Sequence, residues 1–163
     1  MIEARIAGLD RLVTNREQEH DYGTHLGDAD MANANLLAIL IAAAAGFLVG
    51  GLWYGPLFGK AWMVEHDFVE EELKKANMLK IYGLTFAFSV LSAVFLGHLL
   101  AFFDTSPRST MMISIGIALG YIVPAIGTNY LFSRKSGKLF AIDAGYWLVF
   151  YAAMGAVFAM LGT

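Results

Sequence analysis

The sequence predicts an all-α polytopic membrane protein, a four-helix transmembrane bundle. Three observations predict it. Of 163 residues, 58% are apolar and 15% are charged, against about 45–50% and about 25% in soluble globular domains. The apolar residues gather in four charge-poor runs, about 36–54, 81–103, 111–132 and 140–161, each near the roughly 20 helical residues that cross a hydrocarbon core about 30 Å thick. No run alternates apolar and polar residues as a half-buried strand does. In lipid the backbone must satisfy its own hydrogen bonds, which leaves helices for these spans. The same composition excludes a disordered chain and argues against a soluble enzyme domain. The absence of cysteine removes disulfide frameworks, thiolate metal sites and dithiol redox chemistry.

Residues 1–30 form a polar, acidic leader with three basic and seven acidic groups, and residues 31–163 form the four-span membrane domain. Ile2, Ile6, Leu9 and Val13 recur at helical spacing, so 2–16 can make a short amphipathic helix. Residues 17–30 have no periodicity and are expected to be disordered. The leader lacks the apolar core and cleavage pattern of a secretory signal. Met31 stands directly before the first span and is a second candidate start. A chain beginning there carries a net charge of +1 instead of −3.

The first span, 36–54, closes on Trp53-Tyr54-Gly55-Pro56. Trp and Tyr favour the headgroup layer, and Gly-Pro is expected to stop the helix. Phe58, Trp62 and Met63 then lie along the interface. Asp67 with Glu70 three residues on resembles a capping pair for a short surface helix over about 68–75, supported by Glu70/Lys74 and Glu71/Lys75. The run Gly50-Gly51-Leu52-Trp53-Tyr54-Gly55-Pro56-Leu57-Phe58-Gly59-Lys60-Ala61-Trp62-Met63 resembles the opening signature of a family of small bacterial membrane proteins, the domain of unknown function numbered 1761. The resemblance covers about 33–161 and leaves the leader outside. It implies the four-helix fold and carries no established activity.

The second span, 81–103, contains His98, and the third, 111–132, contains Pro124, which is expected to kink it. The fourth, 140–161, contains Asp143. Small residues at spacing four offer close contact between helices: Ala42, Gly46 and Gly50, then Gly116 and Gly120, then Ala152 and Ala156. These are seams within one bundle or between two copies of the chain. Gly51-x-x-Tyr54 and Gly127-x-x-Tyr130 hint at a repeat of spans one and two in three and four, or at the similarity that apolar composition alone produces.

Basic residues set the expected orientation. Lys60, Lys74, Lys75 and Lys80 lie between spans one and two, and Arg134, Lys135 and Lys138 between three and four. Only Arg108 lies between two and three. Basic loops stay cytoplasmic, so the first and third loops are expected inside and both termini outside. The expected location is the cell (inner) membrane.

Ionisable groups inside a membrane are costly and are the default functional candidates. Two qualify. His98, about one and a half turns from its span's end, has no carboxylate or second His at its depth. It is either a neutral His bonded to backbone or water, or a lone proton or ligand donor. Asp143 lies near the predicted cytoplasmic end, at the depth of Asn129, Tyr130, Tyr54, Tyr82 and Thr85, with Tyr146 one turn on. It is either a carboxylate at the interface paired with Arg134, Lys138 or Lys80, or the centre of a polar pocket built with Asn129, Tyr54 and Tyr82. No phosphate-binding glycine loop, zinc spacing or nucleophile elbow occurs. No metal or cofactor is implied, and the sparse basic residues do not point to nucleic acid. The expected partners are the lipid bilayer and a second copy of the chain. The expected role is a non-enzymatic scaffold, subunit or small carrier acting as an oligomer. The alternative is a membrane-embedded enzyme acting on a lipid or quinone-like substrate at a cytoplasm-facing pocket.

Overall fold

Caps and apolar runs together define the helices. In the computed structural model, which describes residues 36–68, 76–103 and 105–163, four helices are long and apolar enough to cross a membrane. They are α1 (Leu36–Leu57), α3 (Met78–Phe102), α4 (Pro107–Phe132) and α5 (Gly137–Leu161). A short helix α2 (Gly59–Glu65) follows α1. Among the described residues every regular element is helical. The leader and residues 69–75, where a short surface helix was expected, lie outside the described residues.

α3, α4 and α5 start three or four residues before their apolar runs, and each start has a polar cap. The Asn77 side chain accepts from Lys80 N at 3.0 Å. Ser106 Oγ accepts from Ser109 N at 3.3 Å, with Pro107 opening α4. Ser136 Oγ accepts from Leu139 N at 3.0 Å. Caps satisfy amides that the helix leaves unpaired, and the fixed φ of proline suits the first helical position. Hydropathy marks what lies in lipid; the cap marks where the helix begins.

Gly55-Pro56 does not stop α1. The last turn, Trp53–Leu57, widens into a π-turn in which Phe58 N donates to Trp53 O at 2.8 Å. Pro56 has no N–H for the carbonyl four residues back and its ring crowds that carbonyl. A wide turn accommodates both consequences. The chain then folds sharply into α2, where a Cβ on Gly59 would lie 2.4 Å from the Tyr54 carbonyl oxygen. Only glycine permits that approach. In α4 a second π-turn, Ala118–Ile122, precedes Pro124, and the helix runs on to Phe132.

Residues 37–163 make one compact unit, with α5 the most buried of the four spans. Phe150, Met154 and Phe158 are almost fully buried. Gly46 of α1 receives Phe150 and Met154, and Gly97 of α3 receives Phe158, with a Cβ at either position meeting those side chains within 2.7–3.1 Å. Gly155 of α5 lies so close to α4 that a Cβ there would come within 2.6 Å of Ser114 Oγ. The expected small-residue seam on α1 is therefore occupied through Gly46 and Gly50. The expected seam at Gly116 and Gly120 is not: a Cβ on either meets nothing within 4 Å. The α4 contact runs instead through Ser114, whose hydroxyl bonds back to Thr110 O at 2.7 Å. That internal bond satisfies the hydroxyl and lets the side chain pack as a small group.

Candidate functional site

Asp143 sits in the second turn of α5, past the capping Ser136. Its side of α5 faces the last turns of α1 and α4, and Asp143 is only 8% exposed. A carboxylate so placed needs hydrogen-bond donors. Two tyrosines supply them. Tyr54 Oη donates to Asp143 Oδ1 at 2.7 Å, and Tyr130 Oη donates to Asp143 Oδ2. The π-turn of α1 carries both Tyr54 and Trp53. Trp53 Nε1 donates to Ile142 O at 3.0 Å, and its ring packs 3.0 Å from where a Cβ on Gly145 would stand. One widened turn thus fixes the α1 end against α5 and aims a phenol at the carboxylate. The two tyrosines occupy matching places in the Gly-x-x-Tyr runs of spans one and three.

The network forms part of the wall of a cavity of about 600 Å³ between α1, α3 and α5. Gly50, Gly51 and Tyr54 line it from α1, Tyr82, Thr85 and Ser89 from α3, and Tyr146, Trp147 and Phe150 from α5. Trp62 and His66 close one end from α2 and the residue after it. The wall is largely aromatic. Tyr146 lies 5.0 Å from Tyr54 and 5.0 Å from Trp147, ring centre to ring centre. His66 packs tilted against Trp62 at 4.2 Å and stacks with Phe68 at 5.1 Å.

Phe47 props the opposite wall, meeting Tyr82 and Phe86 edge-on at 6.4 and 5.5 Å. Thr85 Oγ1 and Ser89 Oγ donate to backbone carbonyls one turn back, Ile81 O and Thr85 O. Their protons are used within α3.

The sequence candidates separate in space. Asp143, Tyr54 and Tyr82 all line the cavity, although Tyr82 stands on its far wall and bonds to neither of the others. Asn129 is exposed and does not line it. One helical step of about 100° separates it from Tyr130, which does. Depth counting places both residues at the level of Asp143 and cannot tell them apart. His98 is exposed, with Nδ1 2.8 Å from Val94 O, and lies away from the cavity. Lys138 pairs with Glu65 at 3.2 Å and not with Asp143. Glu65, at the end of α2, also accepts a hydrogen bond from Ser136 Oγ. That hydroxyl, and then Lys138, holds the Glu65 carboxyl below its ordinary pKa. Sequence reasoning missed Trp62, Trp147 and His66 as cavity residues. Trp62 and His66 share an i,i+4 spacing that would have placed them on one side of a helix, had α2 been expected.

Among the described residues no group of three His, Asp or Glu side chains stands close enough to hold a metal ion. The cavity has the volume of a small-ligand site, a largely aromatic wall, and one carboxylate with two phenols as its polar centre. No curated protein and no solved structure shows significant similarity to the chain. A family profile does match, over residues 37–159, and includes every residue of the cavity; the chain belongs to the family described as Protein of unknown function (DUF1761).

Proposed function

We propose that this multi-pass membrane protein is a small carrier that binds an amphiphilic molecule in the cavity at Asp143, Tyr54 and Tyr130. One observation carries the reading. A purely structural bundle would pack dry around Asp143 or turn it to the headgroups, and instead the buried carboxylate lies on the wall of a cavity of about 600 Å³. Ligand sites have this size, roughly 300–1,000 Å³, and this pattern of aromatic walls with few polar groups. The Lys and Arg distribution supports an inner-membrane orientation with the α1–α3 and α4–α5 connections in the cytoplasm, so that the cavity lies toward that side. Gly116 and Gly120 meet no neighbour, as an α4 face used by a second copy in an oligomer requires.

The test is what the purified protein carries. Gly51 lines the cavity, and a Cβ there meets nothing within 4 Å, so Gly51→Leu has open space for its Cβ and adds bulk at the cavity wall. Mass spectrometry of protein purified in maltoside detergent is expected to find a bound small molecule or lipid in the native chain and not in Gly51→Leu. Equal, empty spectra would support a scaffold. A second reading, an enzyme acting on a lipid or quinone-like substrate, is favoured by the exposure of every residue from Met78 to Phe88 of α3, which gives the cavity a lipid-facing wall. A chemically altered lipid after incubation, lost in Asp143→Asn, would select it.

A further inference from the structure

We infer that the ligand of this cavity is a protonated organic amine with an apolar body, its ammonium group held at Asp143 and against the faces of Tyr146 and Trp147. This rests on the carrier reading and names the ligand class.

The charge balance of the wall points that way. Among the described residues that line the cavity, Asp143 is the acidic side chain and none is Lys or Arg. Among the described lining residues His66 is the basic side chain, at the α2 end, with Nδ1 3.1 Å from Trp62 O and its ring tilted against Trp62 and stacked on Phe68. An anionic ligand would enter against the carboxylate with no Lys or Arg among the described lining residues to offset it.

The hydroxyl protons point the same way. Tyr54 and Tyr130 spend theirs on Asp143, Thr85 on Ile81 O, and Ser89 on Thr85 O. Each oxygen keeps lone pairs, so the polar network at the carboxylate offers acceptors. A quinone or ester needs donors for its carbonyls, and the donors left among the described lining residues (Tyr82, Tyr146, Ser92, the indoles and the His66 ring) stand outside that network. An ammonium with its own N–H groups matches the acceptors, and charge-assisted bonds of that kind are the strong ones.

The aromatic rings supply the rest. The joined rings of Tyr54, Tyr146 and Trp147 line the cavity beside the carboxylate, and aromatic faces attract cations most when water is excluded. Phe47, Phe88 and Phe150 complete an apolar surround for the body of the ligand.

The experiment titrates naphthylethylammonium and its neutral isostere naphthylethanol into the full chain in dodecyl maltoside, with heats corrected against empty micelles. Native protein is expected to bind the amine at least about tenfold more tightly than the alcohol, the scale of one desolvated cation–π contact or charge-assisted bond. Asp143→Asn is expected to remove that preference while still binding the alcohol. Gly51→Leu keeps Asp143 and is expected to lose both probes, and it serves if Asp143→Asn does not fold.

Equal binding of amine and alcohol by native protein, or an unchanged preference in Asp143→Asn, overturns the inference and leaves the cavity as a binding site. Binding of neither probe by native protein, or unchanged binding in Gly51→Leu, overturns the carrier reading itself. Short-chain phosphatidylethanolamine is added as a competitor. Displacement of the amine assigns the ammonium to a lipid headgroup, and no displacement assigns it to a free amine; the protonated amine stands in both cases.

Discussion

The two halves of α3 meet the same bundle in opposite ways. From Ser89 onward the helix is seated: Ser89, Ala93, Leu96, Gly97 and Leu100 are buried, and Gly97 lets Phe158 and Ile39 close against its backbone. From Met78 to Phe88 every residue is exposed, and Phe47 stands between α1 and α3 with its ring against Tyr82 and Phe86. Both halves are equally apolar in character, so hydrophobicity does not explain the difference. Side-chain size does. Apolar groups gain little by leaving lipid for protein, and helices close where small residues let backbones approach. Ala93 and Gly97 close one end. Phe47, Tyr82 and Phe86 hold the other apart, and the cavity is the result.

The sharpest way to break this contrast is to put the same side chain at both ends. Gly97→Leu must fit four atoms where a Cβ alone would be 3.1 Å from the Phe158 ring. Overpacking of that kind typically costs about 1–3 kcal/mol. Gly83→Leu, where a Cβ meets nothing within 4 Å, should be neutral or gain up to about 1 kcal/mol from relief of the glycine penalty in a helix. Thermal melting in detergent should place Gly97→Leu below the native protein and Gly83→Leu at or above it. A fall of equal size in both would mean that the exposed half of α3 is packed after all.

A second contrast separates Asp143 from its surroundings. Tyr54→Phe and Tyr130→Phe each remove one donor from the buried carboxylate. Bonds to charged groups are worth about 1.5–3 kcal/mol, so each change should lower the melting temperature, and each should cost less when made on Asp143→Asn. Double-mutant cycles measure that coupling. Additive losses would show that the phenols matter only as packed rings.

Which parts of this arrangement were legible in the sequence follows the same physics. The four spans were, because about 20 apolar residues have few alternatives in water or lipid. Asp143, Tyr54 and Tyr82 were, because a carboxylate in a span is costly and depth along a helix can be counted. Rotation was not. Counting residues puts Asn129 and Tyr130 at one height, and only the packing of α4 decides which of them reaches Asp143. The end of α1 was also hidden. Gly55-Pro56 reads as a stop, yet a π-turn carries the helix past it and delivers Trp53 and Tyr54 to α5. The Gly116–Gly120 spacing matched a packing motif with no neighbour to pack against, since a stripe of small residues permits contact without specifying a partner.

Outside the membrane the contact of α2 with α5 should respond to pH. Ser136 and Lys138 hold the Glu65 carboxyl below its ordinary value. A lowered pKa in the folded state means that the contact contributes at neutral pH and is lost as pH falls below the ordinary carboxylate range and through the depressed value. The protection of amides 59–66, taken relative to their intrinsic exchange rates, should therefore fall in acid more than that of α5, and Glu65→Gln should lower it at neutral pH and flatten the response. Because α2 brings Trp62 and His66 to the cavity, loosening it acts on one end of the open half and leaves the seated half of α3 untouched.

The smallest effect is expected at His98, and its smallness carries information. His98 belongs to the seated half of α3 but points out of it, exposed, with its ring nitrogen engaged by the carbonyl one turn back. Nothing from α1, α4 or α5 depends on it for a hydrogen bond. Surface changes away from packing and polar networks usually fall within about 0.5 kcal/mol, so His98→Phe should melt with the native protein and bind the amine probe unchanged. Two ionisable residues with the same claim from sequence would then part company on experiment, one because two tyrosines and a cavity converge on it, the other because its own helix already satisfies it. A His98→Phe variant that lost probe binding would move the site to the other end of α3 and undo the contrast between its halves.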